Sequence, residues 1–192
     1  MIKLVFATNN QNKFNEIASL LNNNIELVSL SDIGCTEELL ETSNTLEGNA
    51  LQKAMYVFNK FKLNCFADDT GLEVEALEGR PGVYSARYAG EQRNAEDNMN
   101  KLLEELKEKS NKSAAFRTVL ALVVNREQLF FDGSVKGNIT DKRVGDKGFG
   151  YDPVFIPEGY SQTFAQMDMA LKNKLSHRGI AVGKLAVYLN NL

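Results

Sequence analysis

Apolar and polar positions alternate along the chain in blocks that predict strands and helices in turn. The apolar run "IKLVFA" (2–7) predicts a strand, and the polar stretch "TNNQNK" (8–13) after it predicts a loop. Apolar residues then recur at helical spacing as far as about residues 22–24, and "IELVSL" (25–30) predicts a second strand. A strand–helix–strand unit of this kind favours a parallel pair of strands joined by a right-handed crossover.

The middle of the chain repeats the helix pattern and then carries an acidic pair. After a polar, acidic segment at 36–47, one helix face is predicted by Leu51, Ala54, Met55, Phe58 and Phe61. Within residues 64–77, "NCFA" predicts a strand, "DDTG" a turn and "LEVEAL" an alternating segment. A loop punctuated by Gly and Pro follows at 78–90, and an amphipathic helix at about 94–109.

Strands dominate the next part of the chain. Consecutive antiparallel strands are predicted at 114–124, 128–133 and 134–139, and a helix with Ser176 as its N-cap closes the chain. Together these patterns predict an α/β fold with a mixed β-sheet and flanking helices. Because there is no repeat, low-complexity segment or linker rich in Pro or Ser, we expect residues 1–192 to form a single domain of two lobes.

Charge and cysteine content exclude several classes of protein. The formal net charge of −3 predicts no broad basic surface for nucleic acid or membrane. No run approaches the roughly 20 apolar residues of a membrane span, and the apolar stretch after Lys3 is too short for a signal peptide. Cys35 and Cys65 stand alone, which favours a reducing cytosol over a disulfide framework. We therefore expect a cytoplasmic protein with neither a nucleic-acid nor a membrane partner.

The acidic pair Asp68 and Asp69 is the first candidate site. One interpretation is a turn, because Asp is frequent there. The other is a site for base catalysis or for a hard cation such as Mg²⁺, which prefers oxygen ligands. Glu47 is a possible partner for Asp69, but its spacing from Asn44 is also that of a capping box at a helix start.

Two loops have features suited to a nucleotide. The stretch "TNNQNK" leads from a strand into a helix, where backbone N–H groups and the helix dipole favour phosphate, and Lys13 would add a positive charge. An Asn-rich turn without a ligand is the alternative. In "GFGYD" (148–152), an aromatic between glycines can stack on a base, although Tyr151 is equally suited to plugging the core.

The segment "KNKLSHRG" (172–179) holds the single histidine of the chain, His177, beside Arg178. At a helix start these donors suit the oxygen of a base, and Lys172 suits a phosphate. A serine hydrolase fits poorly, because His177 directly follows Ser176 and the two side chains lack the facing geometry of nucleophile and base.

These motifs together resemble the inosine triphosphate pyrophosphatase (HAM1-like) family, which hydrolyses non-standard purine nucleotides. The matching stretches run in family order along the whole chain: "FATNNQNK", "ETSNTLEGNALQKA", "FADDTGLEVEALEGRPGVYSARYAG", "GFGYDPVF" and "KNKLSHRG". The resemblance implies an elongated mixed α/β fold of two lobes with the nucleotide in a central cleft, and a homodimer. It also implies Mg²⁺-dependent hydrolysis of ITP, dITP and XTP to the monophosphate and pyrophosphate.

The resemblance also implies roles for individual residues. Asp69 becomes the catalytic proton acceptor and a metal ligand, Glu47 the second metal ligand and Asp68 a possible third, while Phe149 stacks on the purine. Substrate contacts are implied for Thr8, Asn9, Asn10, Gln11, Asn12, Lys13, Thr70, Phe149, Gly150, Tyr151, Asp152, Lys172, His177 and Arg178. Gln166 departs from the family pattern, in which an acidic residue is usual, and receives no role.

Three other functions compete with this prediction. A related pyrophosphatase could prefer modified pyrimidine triphosphates, a nucleotide sensor would bind without turnover, and an interaction module would need no chemistry. The motif set argues against the first, and the retained acids Glu47, Asp68 and Asp69 argue against the second. The absence of charge blocks, repeats and disordered tails gives the third little support.

Overall fold

The computed structural model describes residues 2–21 and 24–191. Within them the strands are β1 (Ile2–Phe6), β2 (Ile25–Val28), β3 (Cys65–Val74), β4 (Pro81–Gly82), β5 (Ser113–Val124), β6 (Glu127–Ile139) and β7 (Phe155–Pro157). The helices are α1 (Gln11–Leu20), α2 (Leu46–Phe61), α3 (Ala95–Leu106), α4 (Met169–Leu175) and α5 (His177–Leu189). Of the predicted end of the first helix at 22–24, residues 22 and 23 lie outside the described residues.

The strands form a mixed sheet in the order β2-β1-β3-β5-β6-β7, with β4 paired to β3. Strand β1 is parallel to both of its neighbours, so that Val5 lies opposite Val28 on one side and Cys65 on the other. Strands β6 and β7 are antiparallel. The α/β class, the mixed sheet and the parallel β1–β2 pair predicted from the sequence are therefore confirmed.

The chain divides into two compact units. The first contains the described residues of Met1–Asp69, Thr118–Gly133 and Arg178–Leu192, and the second contains Thr70–Arg117 and Ser134–His177. Strands β3, β5 and β6 contribute residues to both. The prediction of one domain over 1–192 stays a prediction.

Alternation along β1 explains how the first unit builds its core. Leu4 and Phe6 belong to one buried cluster, whereas Val5 and Ala7 belong to another. Because successive side chains of a strand point to opposite faces, both faces of β1 are buried, as is usual for a parallel strand. In the second unit a separate core forms around Phe116, Phe155 and Phe164.

Three local predictions were wrong, and one helix was missed. "DDTG" is not a turn but the middle of β3. Residues 128–139 form one long strand, β6, instead of two. Helix α1 begins at Gln11, inside the predicted loop, because Asn10 caps it. Helix α4 was not predicted at all; its cap is Asp168, which accepts a hydrogen bond from the Leu171 N–H at 2.7 Å.

No helix in the described part of the chain is long and apolar enough to cross a membrane. The final helix begins at His177, directly after Ser176, where the sequence predicts its start.

Candidate active site

The loop between β1 and α1 shapes the start of the helix. The Asn10 side chain accepts from the Lys13 N–H at 3.1 Å, and the Asn10 N–H donates to Thr8 Oγ1 at 3.1 Å. Asn9 points elsewhere: it donates to the Glu37 carbonyl at 3.3 Å and accepts from the Leu39 N–H at 3.0 Å. The predicted phosphate loop is thus a capped helix N-terminus in which Asn9 holds the acidic segment at 36–47.

The neighbouring loop positions lie further out. Gln11 donates to Asn15 one turn along α1 at 2.8 Å, and Asn12 is exposed. Their predicted role as substrate contacts stays a prediction.

Asp68 is the centre of a buried charge cluster in the first unit. Its side chain is fully buried, and its Oδ2 lies 3.0 Å from the Lys13 ammonium and 3.6 Å from the Arg178 guanidinium. Burial alone would raise the pKa of Asp68, but the positive charges of Lys13, Arg178 and Lys53 hold that pKa well below its usual range. Asp68 therefore stays ionised and holds the side chains of Lys13 and Arg178 in place.

Arg178 is bound by a second carboxylate. Its guanidinium pairs with Glu16 of α1, and both side chains are almost completely buried. An arginine held by two carboxylates has a fixed orientation, because its planar donors are engaged in more than one direction. The site thus sets the position of Arg178 before any ligand arrives.

Asp69 lies in a different environment from its neighbour. Its Oδ2 accepts a hydrogen bond from the Asn49 side chain at 2.9 Å. Burial raises the pKa of Asp69, and the nearby Glu41 adds to the rise, while Lys53 and Lys13 only partly oppose it. Adjacent aspartates on one strand therefore have pKa values shifted in opposite directions.

Glu41 and Lys53 are charged residues of this site that the sequence analysis missed. They form a close ion pair, in which Lys53 is buried. Burial alone would lower the pKa of Lys53, but Glu41, Asp68 and Asp69 together raise it. The signal was present in α2, where Asn49 and Lys53 stand one turn apart on a face that is otherwise apolar.

Glu47 does not form the predicted capping box with Asn44. Thr45 caps α2 by accepting a hydrogen bond from the Gly48 N–H at 3.1 Å. Glu47 is therefore the second residue of the helix, where the helix dipole stabilises its negative charge. That Glu47 binds a metal ion together with Asp69 stays a prediction. Within the acidic segment at 36–47, the charge of Glu41 raises the pKa of Asp69.

The donor chemistry fits a hard divalent cation. Glu41 and Asp69 supply carboxylate oxygens, and Mg²⁺ commonly uses one or two protein carboxylates while retaining several waters. Among residues 2–21 and 24–191, no three His, Cys, Asp or Glu side chains are grouped closely enough to form an all-protein metal cage. Two carboxylates of this kind suit a cation that keeps other oxygen atoms as its remaining ligands.

In the second unit, Asp152 organises the glycine-rich loop. Its Oδ2 accepts from the Phe149 N–H at 2.8 Å and from the Lys172 ammonium at 2.7 Å. The same ammonium lies 5.1 Å from the centroid of the half-buried Phe149 ring. Lys172 is thus grouped with the aromatic residue predicted to stack on a base.

Tyr151 and His177 are held by contacts inside the second unit. The Tyr151 hydroxyl donates to the Ser85 carbonyl at 2.8 Å and its ring is buried, which agrees with the core-plug interpretation of that residue. The His177 ring stacks on Phe116 with centroids 4.6 Å apart and planes at 12°. Thr70 is half-buried on β3.

The comparisons with known proteins decide the family. A model of the Ham1 family matches residues 4–188. The chain belongs to the Ham1 family. This confirms the resemblance inferred from the motifs.

Curated and solved relatives cover this Ham1-family chain almost completely. A dITP/XTP pyrophosphatase of Flavobacterium psychrophilum is 56% identical over 190 residues, which are 99% of this chain and 100% of the relative. A HAM1 protein of Coxiella burnetii superposes with a TM-score of 0.92 at 34% identity, over 100% of both chains. The Ham1 protein of Staphylococcus aureus superposes with a TM-score of 0.89 at 36% identity, over 98% of both chains.

Proposed function

We propose that this Ham1-family chain is a Mg²⁺-dependent nucleoside triphosphate pyrophosphatase that hydrolyses ITP, dITP and XTP to the monophosphate and pyrophosphate, keeping them out of DNA and RNA. The names of its curated relatives support the substrate class. The observation that carries the chemistry is the contrast between Asp68 and Asp69, one locked in ion pairs and the other with a raised pKa.

The charges of the first unit suit a triphosphate together with a cation. The cluster contains four carboxylates and three basic side chains, so its formal net charge is negative. The members are Glu16, Glu41, Asp68, Asp69, Lys13, Lys53 and Arg178. A bound Mg²⁺ would reverse that balance and neutralise charge that develops on the phosphates.

In this mechanism Asp69 positions the attacking water and accepts its proton. Its Oδ2 accepts a hydrogen bond from the Asn49 side chain, which fixes the orientation of the carboxylate that takes the proton. The water attacks the α-phosphorus, the bond between the α- and β-phosphates breaks, and pyrophosphate leaves. Lys13 and Lys53, whose positions are fixed by Asp68 and Glu41, hold the phosphate oxygens.

We assign the metal-facing carboxylates to Asp69 and Glu41. The predicted ligand Glu47 remains the alternative to Glu41. Asp68 suits a positioning role better than that of a ligand, since its Oδ2 is already shared between Lys13 and Arg178.

Base recognition is assigned to Phe149, His177 and Arg178. The purine stacks on the Phe149 ring, whose loop is fixed by Asp152. His177 and Arg178 donate to the keto oxygen at position 6 of hypoxanthine or xanthine. Adenine has an amino group there, so donor would face donor and buried groups would be left unpaired, which costs orders of magnitude in selectivity.

The remaining family properties also belong to this proposal. We propose that residues 1–192 form a single domain. We also propose that two copies of the chain form a homodimer and that the protein is cytoplasmic. The dimer and the location rest on the family resemblance and on the composition of the chain.

The test is pyrophosphate release from ITP, XTP, GTP, ATP and dTTP, with Mg²⁺ or with EDTA, for the wild type and Asp69→Asn. Mg²⁺-dependent release from ITP and XTP that is lost in the variant supports the proposal. Release chiefly from dTTP would indicate a pyrimidine enzyme. Metal-dependent binding of ITP without product would indicate a sensor.

A further inference from the structure

Ser85 is a buried polar residue in the loop at 78–90 to which no function has been attached. Its hydroxyl accepts a hydrogen bond from the Leu72 N–H at 2.8 Å and donates one to the Gly82 carbonyl at 2.6 Å. Leu72 lies on β3, two residues after Thr70. The serine side chain thus fastens its loop to the strand that carries the predicted substrate contact Thr70.

The main chain of the same residue holds a second segment. The Ser85 carbonyl accepts the hydrogen bond from the Tyr151 hydroxyl, and this bond is buried. Tyr151 lies two residues after Phe149 and is 5% exposed. Ser85 therefore joins β3 to the loop that presents Phe149, within one compact unit.

The glycine-rich loop needs such an anchor. Gly148 and Gly150 flank Phe149 with φ values of 73° and 62°. Glycine loses more conformational freedom on ordering than any other residue, so a loop built from it is held by contacts from outside. Asp152 supplies one contact, through the Phe149 N–H, and the Tyr151 hydroxyl supplies another.

We propose that Ser85 and Tyr151 are positioning residues for purine binding, which hold the Phe149 ring in place through the Leu72–Ser85–Tyr151 hydrogen bonds. This inference rests on the proposed function, because it takes Phe149 as the residue that stacks on the base. Neither residue touches the reacting atoms. Their removal changes how well the base is held and not the attack on the α-phosphorus.

The first variant is Tyr151→Phe, which keeps the ring in the core and removes only the hydroxyl. Loss of one buried hydrogen bond is expected to raise KM for ITP about tenfold with kcat within about twofold, since stacking acts equally on the bound substrate and the transition state. Tyr160→Phe makes the same change at an exposed tyrosine and is expected to leave both constants unchanged.

A second background shows whether Tyr151 acts through Phe149. In a Phe149→Ala chain the stacking ring is absent, so adding Tyr151→Phe is expected to raise KM no further. Ser85→Ala tests the hydrogen bond between Ser85 and Leu72 of β3, and this single variant should raise KM without changing kcat. The double variant with Tyr151→Phe should raise KM by less than the product of the two single effects. Circular dichroism and thermal unfolding verify that each variant is folded.

The outcomes separate this inference from the function on which it rests. A wild type that releases no pyrophosphate from any nucleotide overturns the proposed function, and this inference with it. An active wild type whose folded Tyr151→Phe variant has an unchanged KM, or a lowered kcat at constant KM, overturns the inference alone. So does an equal rise in KM on the Phe149→Ala background.

Discussion

The ammonium of Lys13 lies 3.0 Å from Oδ2 of Asp68, a carboxylate with no exposed side-chain surface. Lys13 comes from the first turns of α1, and Asp68 from the middle of β3. Their pairing turns a flexible lysine into a fixed positive charge at the end of the segment 8–13. The pair links α1, whose N-terminus is predicted to bind phosphate, with β3, which carries the predicted catalytic residue Asp69.

Replacement of Asp68 by Asn should destabilise the protein strongly. The variant leaves Lys13 and Arg178 without their shared carboxylate, and breaking a buried ion pair from one side typically costs about 3–5 kcal/mol. Chemical denaturation measures this loss in the free energy of unfolding. A loss below about 1 kcal/mol would mean that Asp68 is not essential to the cluster.

Replacement of Asp69 by Asn should act in the opposite way on stability. Because burial raises the pKa of Asp69, its ionised form is a cost at pH 7, and the neutral amide is expected to raise the melting temperature by a few degrees without metal. The same variant should lose at least about 100-fold in kcat for ITP, since the base is gone. Retained kcat would exclude Asp69 as proton acceptor.

The pH dependence of stability provides a separate check on Asp69. A carboxyl group whose folded pKa is raised contributes stability that is fully present below its unfolded pKa of about 3.9 and is lost as pH rises through the folded pKa. The melting-temperature gain of Asp69→Asn over the wild type should therefore shrink as the pH is lowered towards 4. A gain that stays constant from pH 7 to pH 4 contradicts the raised pKa.

Glu41→Gln and Glu47→Gln form a matched pair for the metal site. We expect the Glu41 variant to raise the Mg²⁺ concentration for half-maximal activity by about tenfold or more, because a carboxylate near Asp69 is lost. The Glu47 variant should change it by less than about threefold. Titration of pyrophosphate release with Mg²⁺ measures both. The reverse order would return the ligand role to Glu47.

Gly148→Ala should weaken substrate binding through Asp152. A Cβ atom on Gly148 would lie 2.1 Å from Asp152 Oδ2, the oxygen that holds both Phe149 and Lys172. We expect KM for ITP to rise about tenfold, measured by steady-state kinetics. Gly159→Ala is the control: its φ of 82° carries the same backbone strain, but nothing lies within 4 Å of the added Cβ. Equal KM values for the two variants would exclude a role for the clash.

Local periodicity was sufficient to predict much of the fold. Strand β1, helix α2 and the parallel β1–β2 pair follow from apolar spacing and from short connections, which depend on neighbouring residues alone. The predictions failed at β3, where Asp68, Asp69, Thr70 and Gly71 have a strong turn propensity. Lys13 and Arg178, from opposite ends of the chain, compensate the buried charge, and such distant pairing has no local signature.

The candidate site shows the same limit. Family motifs pointed to Asp69, Phe149 and Asp152, whereas no role was predicted for Glu41 and Lys53, whose ion pair is seen in the structure. Ser85 is equally inconspicuous in the sequence, since its importance lies in hydrogen bonds to two other segments, through Leu72 and Tyr151. A residue whose role is to hold other residues is visible only when its partners are.

Strand β3 places two adjacent carboxylates in surroundings that differ in charge and in hydrogen bonding, because the side chains of a strand alternate between its faces. A deletion of one residue just before Asp68 would therefore move Asp69 into the pocket of Lys13 and Arg178 and turn Thr70 towards Asn49. The chain would keep its composition almost unchanged and lose both the anchor and the base. Spacing in this strand is consequently under as strict a constraint as residue type, and length variation among relatives should be confined to the segments on either side of it.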